Sequence, residues 1–250
     1  MHGQTWAMAG GLFLRDKPAA CKLLSGQLPE ARSECGNDSS GHGAFTLMLG
    51  EGRTLIYFPI IHTQADMGAL SEAIRSTKVQ RLGRIGWERT VNRVDKLWGE
   101  IEQTIDGLVL PYERVRVYQD GLPVCGREPE IVTELAKVGS RNHRLLLRLR
   151  EKGATIMGTE SSELLVEEYQ VVKEDFAGRR FEVRVPGRVG RKALRDSLLK
   201  RRDQYIADRV NGTLLKGETG LIFLGMLHSL SPWLDKDIRV IHPIHQSLNR

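Results

Sequence analysis

Four short apolar runs each end on a polar residue able to do chemistry, and this limits the chain more than any other feature. They are LIYFPII running into His62, VRVYQ into Asp120, ATIMGT into Glu160 and LIFLGML into His228. Apolar runs of this kind fit strands buried on both faces, as in a parallel sheet covered by helices. Between them lie segments with the period of an amphipathic helix, clearest in Val91, Val94, Leu97, Trp98, Ile101 and Ile105. Strands alternating with helices predict an α/β domain with a mostly parallel central sheet flanked by helices. In such a sheet the strand C-termini share one rim, where ligands bind.

The pattern predicts strands over Leu55 to Ile61, Arg114 to Tyr118, Ala154 to Gly158 and Leu221 to Leu227, with a short fifth over Ile238 to Ile241. Helices are expected from about Met67 to Ser76, Trp87 to Ile105, Glu128 to Val138, Arg141 to Glu151, Glu163 to Asp175 and Arg191 to Leu215. Asp66 or Ser71 caps the first, and Gly107 stops the second. FEVRV at 181–185 reads as a strand broken by PGRVG. Residues 1–47 contain SECGNDSSGHGAF and sustain no period beyond one short helix around Ala19 to Leu24. They are expected to form a disordered N-terminal extension before a single α/β domain over 48–250, and Met48 reads as an alternative translation start.

Of the 250 residues, 40% are hydrophobic and 27% charged, as in ordinary globular chains. No apolar run approaches the ~20 residues of a membrane span, so a cytoplasmic protein without a membrane partner is expected. The three cysteines show no CxxC spacing, which argues against a disulfide framework or a structural zinc cluster. Cys125 reads as an incidental thiol. Walker, GxGxxG and HExxH motifs are absent. The net charge of +6 is concentrated between Arg179 and Arg202, where ten basic residues face Glu182 and Asp196. Such a stretch suits phosphates or nucleic acid, and equally a solvated helix face.

The strand ends supply the candidate site. His62 and His228 have the chemistry of metal ligands or acid/base groups. Asp120 and Glu160 would complete coordination of a divalent metal ion or activate water. Each carboxylate also has a structural reading: Asp120 opens an Asp-Gly turn, and Glu160 precedes a helix N-terminus. On the long helix, Arg202 would hold the carboxylate or phosphate of a small anionic or peptide substrate, or lie on the surface. His242 and His245 are left out, because Pro243 between them breaks a helical pair.

The stretch RRDQYIADRVNGTLLKGETGLIFLGMLH resembles the second conserved block of the TraB/Tiki family through Arg202, Asp203, Ala207, Gly225 and His228. The family's first block is also a strand running into GxxH. Its counterpart here is FPIIHT, in which Pro59 replaces the glycine. Where the family has a glutamate after a later strand, this chain offers Asp120 in VRVYQDGL. The likeness covers about thirty residues and implies a metal-dependent peptidase or hydrolase.

Overall fold

The computed structural model describes residues 52–177 and 190–244. The expected N-terminal extension, Met48, the Ala19–Leu24 helix, FEVRV and His245 lie outside them. In chain order the main elements are β1 (Arg53–Ile60), α1 (Ser71–Asp106), β2 (Val115–Gln119), α2 (Glu128–Lys137), α3 (Arg141–Glu151), β3 (Thr155–Met157), α4 (Ser162–Ala177), α5 (Arg191–Thr213), β4 (Thr219–Gly225) and β5 (Ile238–Ile241). Short 3-10 segments precede α1 and β2.

The strands form one five-stranded sheet in the order β3-β2-β4-β1-β5, and every pairing is parallel. The last long strand, β4, is therefore inserted between the first two. Alternation along each strand divides the core into two layers. Ile56, Phe58, Val117 and Phe223 face Trp98 and Ile101 of α1, Val132 of α2 and Leu146 of α3. Leu55, Tyr118, Ile222 and Leu224 face Ile206 and Val210 of α5. Both faces are covered, which is why the strands read as unbroken apolar runs.

Packing across the sheet sets residue size closely. Phe58 and Phe223 stack at 5.2 Å, a pairing worth about 0.5–1.5 kcal/mol beyond the area it buries. Gly220 leaves room for Leu55: a Cβ there would come within 2.7 Å of Leu55 Cδ1. The Trp98 indole donates to the Ile61 carbonyl at 3.1 Å, tying α1 to the chain immediately before His62.

Two expected helices are joined. Residues 71–76 of the first and all of Trp87–Ile105 belong to α1, whose regular geometry is broken at Gly83 (φ 69°, ψ 167°), while residues 67–70 lie in the 3-10 segment before it. A φ near +70° demands little of glycine and much of any other residue type, so Gly83 fits the interruption. Ser71 opens the α-helix, and Asp66 closes on Thr63, accepting from its backbone N–H at 2.7 Å and its hydroxyl at 2.8 Å. Among the described residues, no helix is long and apolar enough to cross a membrane.

Candidate functional site

Each strand end delivers one residue to the same buried cluster. His62 follows β1, Asp120 follows β2, Glu160 lies beyond β3 and His228 lies beyond β4. The insertion of β4 between β1 and β2 brings the two histidines and Asp120 together across three adjacent strands. The Asp120 N–H donates to the Phe223 carbonyl at 2.9 Å, so the turn after β2 stays on β4. Gly121 takes a positive φ of 75°, as the Asp-Gly turn requires. Asp120 is thus both a turn residue and a member of the cluster.

The Asp120 carboxylate has two different sides. Oδ1 accepts from Arg202 Nη2 at 2.9 Å. Oδ2 accepts from the Gly225 N–H at 2.8 Å and lies 3.1 Å from His62 Nε2 and 3.5 Å from His228 Nε2. His228 is oriented from behind, since its Nδ1 is 2.6 Å from Asp203 Oδ1. The second oxygen of Asp203 accepts from the Ser229 N–H at 3.1 Å, fixing the carboxylate against the turn after β4. An imidazole whose Nδ1–H is held by a carboxylate presents Nε2 in a defined tautomer and direction.

Arg202 enters from α5 and is 1% exposed. Its Nε and Nη2 donate to the two oxygens of Glu160 at 2.6 and 2.7 Å, a bidentate pair. Its Nη1 donates to Glu168 Oε1 at 2.6 Å. All three guanidinium nitrogens are therefore engaged by carboxyl groups of the chain. The expected role of Arg202, gripping an anionic substrate, gives way to that of an internal counter-ion. Glu160 likewise does not point toward His62 or His228: it accepts from Arg202 and, at 2.6 Å, from the Gly121 N–H. The metal-completing or water-activating role expected of Glu160 is replaced by one of holding Arg202 and the Asp120 turn.

Electrostatics follow from this crowding. Burial and its neighbours act in opposition on each group. For Asp120, burial resists ionisation, but His228 and His62 hold the carboxylate well below its ordinary range. For His228, burial disfavours the imidazolium, yet Asp120 and Asp203 raise it to about 10. His62 is also raised, with Asp120 outweighing burial. Burial pushes the Glu168 carboxyl up. Arg202 is the cation that Asp120, Glu160 and Glu168 share, and the imidazoles make up the remaining positive charge.

A second polar group adjoins His62. Ser140, at the N-cap of α3, donates to Asp66 Oδ1 and lies 2.6 Å from His143 Nδ1. Because the Ser140 hydrogen goes to Asp66, the Ser140–His143 bond is donated by Nδ1–H. Ser140 and Asp66 are legible in sequence only as caps. Their meeting depends on packing α3 against the turn after β1, which no local pattern announces.

The described part of the basic stretch is largely paired within the chain. Lys192 pairs with Asp196 at 2.6 Å, Arg201 with Glu167 at 2.8 Å, and Arg202 is buried. Cys125 is exposed. Comparison with models of known protein families, with curated proteins and with solved structures finds no match for this chain.

Proposed function

We propose that the protein is a hydrolase whose reaction centre is the His62–Asp120–His228 cluster, with a divalent metal ion held by these three side chains. The observation that carries this reading is the approach of two imidazole Nε2 atoms to one carboxylate oxygen, at 3.1 and 3.5 Å. Bonds near 2.0–2.2 Å in tetrahedral coordination place donor atoms roughly 3.3–3.5 Å apart, which the His228 spacing of 3.5 Å meets and the His62 spacing of 3.1 Å falls slightly short of. Among the described residues, no group of three or more His, Cys, Asp or Glu side chains is arranged as it stands to hold a metal ion. The three donors close on one another through hydrogen bonds, so an ion enters by taking the place of imidazole protons. The donor types and the carboxylate behind His228 suit that exchange. The likeness of Arg202–His228 to the TraB/Tiki block implies the same chemistry.

The bound ion would supply a Lewis acid and a water of lowered pKa. The chain's own residues set the stage for it. Asp203 directs His228 Nε2 inward. Arg202 and the Gly225 N–H hold Asp120 from both oxygens, so its position is fixed before any ligand arrives. Glu160 and Glu168 hold Arg202 in turn. A cytoplasmic setting belongs to the same proposal.

The test is hydrolysis of a panel of neutral and anionic amides and esters by purified, untagged protein, before and after chelation. The expected result is turnover that chelation abolishes, that a divalent ion restores, and that His228→Ala lacks. Turnover unaffected by exhaustive chelation would exclude the metal, and no turnover of any amide or ester would exclude the hydrolase.

A further inference from the structure

We propose that the cavity beside His228 receives an uncharged, apolar group flanking the bond to be cleaved, so that the substrates are neutral acyl or peptidyl compounds rather than small anions. The inference rests on the hydrolytic reading of the same cluster and names the substrate class it would take.

The cavity has a structural origin in the sheet. β5 pairs with β1 only from Arg53 to Ile56, so beyond Ile56 the β1 edge has no strand on that side. Pro59, which lacks an N–H, lies in this one-sided segment, where proline is tolerated. The chain after β4 folds over the open edge and encloses about 350 Å³. This is near the lower end of the range for small-molecule pockets.

The lining decides the chemistry. Tyr57, Pro59, Met226, Leu234 and Val240 supply apolar walls, His228, Ser229, Ser231 and His242 the polar ones, and no Asp, Glu, Lys or Arg is among the lining residues. A carboxylate or phosphate placed there would lose hydration and meet the imidazole of His228, whose two ring nitrogens already face Asp203 at 2.6 Å and Asp120 at 3.5 Å. Arg202, the one buried cation that sequence reading assigned to an anion, is instead occupied by Glu160, Glu168 and Asp120.

His228 connects the cavity to the reaction centre. It lines the cavity, and its Nε2 belongs to the Asp120 cluster. Tyr57 spans the two as well: its hydroxyl donates to the His228 carbonyl at 3.4 Å, while its ring lies 5.1 Å from that of His242. An apolar group seated between Tyr57, Leu234 and Val240 would bring its adjoining carbonyl to the His228 side.

Binding to the full chain can be measured by titration calorimetry with N-acetyl-L-leucine amide, hexanamide and N-acetyl-L-aspartate amide. The leucine amide or hexanamide is expected to bind at least tenfold more tightly than the aspartate amide, and the tighter of the two tells a peptide side chain from an acyl chain. Leu234→Trp and Val240→Trp, which fill the cavity from different walls, should each weaken the preferred amide at least tenfold. A thermal melt of each variant identifies any that has failed to fold, and the other then decides. Equal or tighter binding of the aspartate amide, no binding of either apolar amide, or full affinity in a folded tryptophan variant would overturn the proposal. Hydrolysis without preference for the apolar amides would sink the specificity alone. Apolar amides that bind to a chain hydrolysing no amide or ester would sink the hydrolase alone.

Discussion

The two oxygens of Asp120 divide the buried cluster into halves of different character. On the Oδ1 side, Arg202 meets Asp120, Glu160 and Glu168, and its three nitrogens are all bonded. On the Oδ2 side, two imidazoles crowd one oxygen at 3.1 and 3.5 Å. A guanidinium keeps its charge at any ordinary pH and cannot be exchanged for another ligand. An imidazole can give up its proton to a base or make room for a metal. Under the proposed function, the same aspartate is anchored by Arg202 through one oxygen and offers the other to chemistry.

Removing the arginine should have the largest effect. Arg202→Met leaves Asp120, Glu160 and Glu168 together without their cation, and breaking a buried pair in this way costs about 3–5 kcal/mol. Urea unfolding should show the loss. Adding Glu160→Gln to Arg202→Met should recover part of it, because one of the stranded charges is gone. A loss below about 1 kcal/mol would mean that the Arg202 half does not hold the cluster together.

Asp66 sharpens the contrast through pH. Burial resists its charge, but His143, His62 and Ser140 hold the carboxyl well below its ordinary range. A depressed pKa contributes stability that is present above the unfolded value near 4 and is lost as pH falls toward the folded one. Asp66→Asn should cost about 1–3 kcal/mol at pH 7. Its deficit relative to wild type should shrink steadily below about pH 4. Urea midpoints at pH 7 and pH 3 check this, and a deficit that stays constant between them would remove Asp66 from the account.

The smallest effect belongs to the exposed part of the same basic region. Lys192 and Asp196 pair at 2.6 Å with 70% and 61% of their side chains exposed. Lys192→Ser should change stability by no more than about 0.5 kcal/mol. On one helix, α5, Lys192 and Arg202 would then differ several-fold in energetic weight because one is solvated and the other is not.

Much of this was legible along the chain because strands buried on both faces leave an uninterrupted apolar signature. The runs ending near Ile60, Gln119, Met157 and Gly225 mark the parallel sheet, and parallel strands necessarily bring their C-terminal residues to one rim. His62, Asp120, Glu160 and His228 could thus be named together without knowing the strand order. The partition within the cluster was not legible. Arg202 follows the basic Lys200 and Arg201 on its helix, and a turn of about 100° per residue separates a surface position from a buried one. Only packing reveals that its side chain faces Glu160 and Glu168. Two helices were expected along α1, and Gly83 does break its geometry; the sequence did not show that helical structure runs up to Gly83 from both sides. The cavity beside His228 depends on where β5 stops pairing, and a strand of four residues carries no signal for its own register.

The central claim is that the imidazole side of Asp120 accepts a divalent ion. Titration of chelator-treated protein with Zn²⁺, followed by calorimetry, tests it most directly. The account predicts one ion per chain for wild type, and loss of that binding in both His62→Ala and His228→Ala while each variant remains folded by its thermal melt. Absence of binding in wild type, or equal binding in wild type and both folded variants, would contradict it.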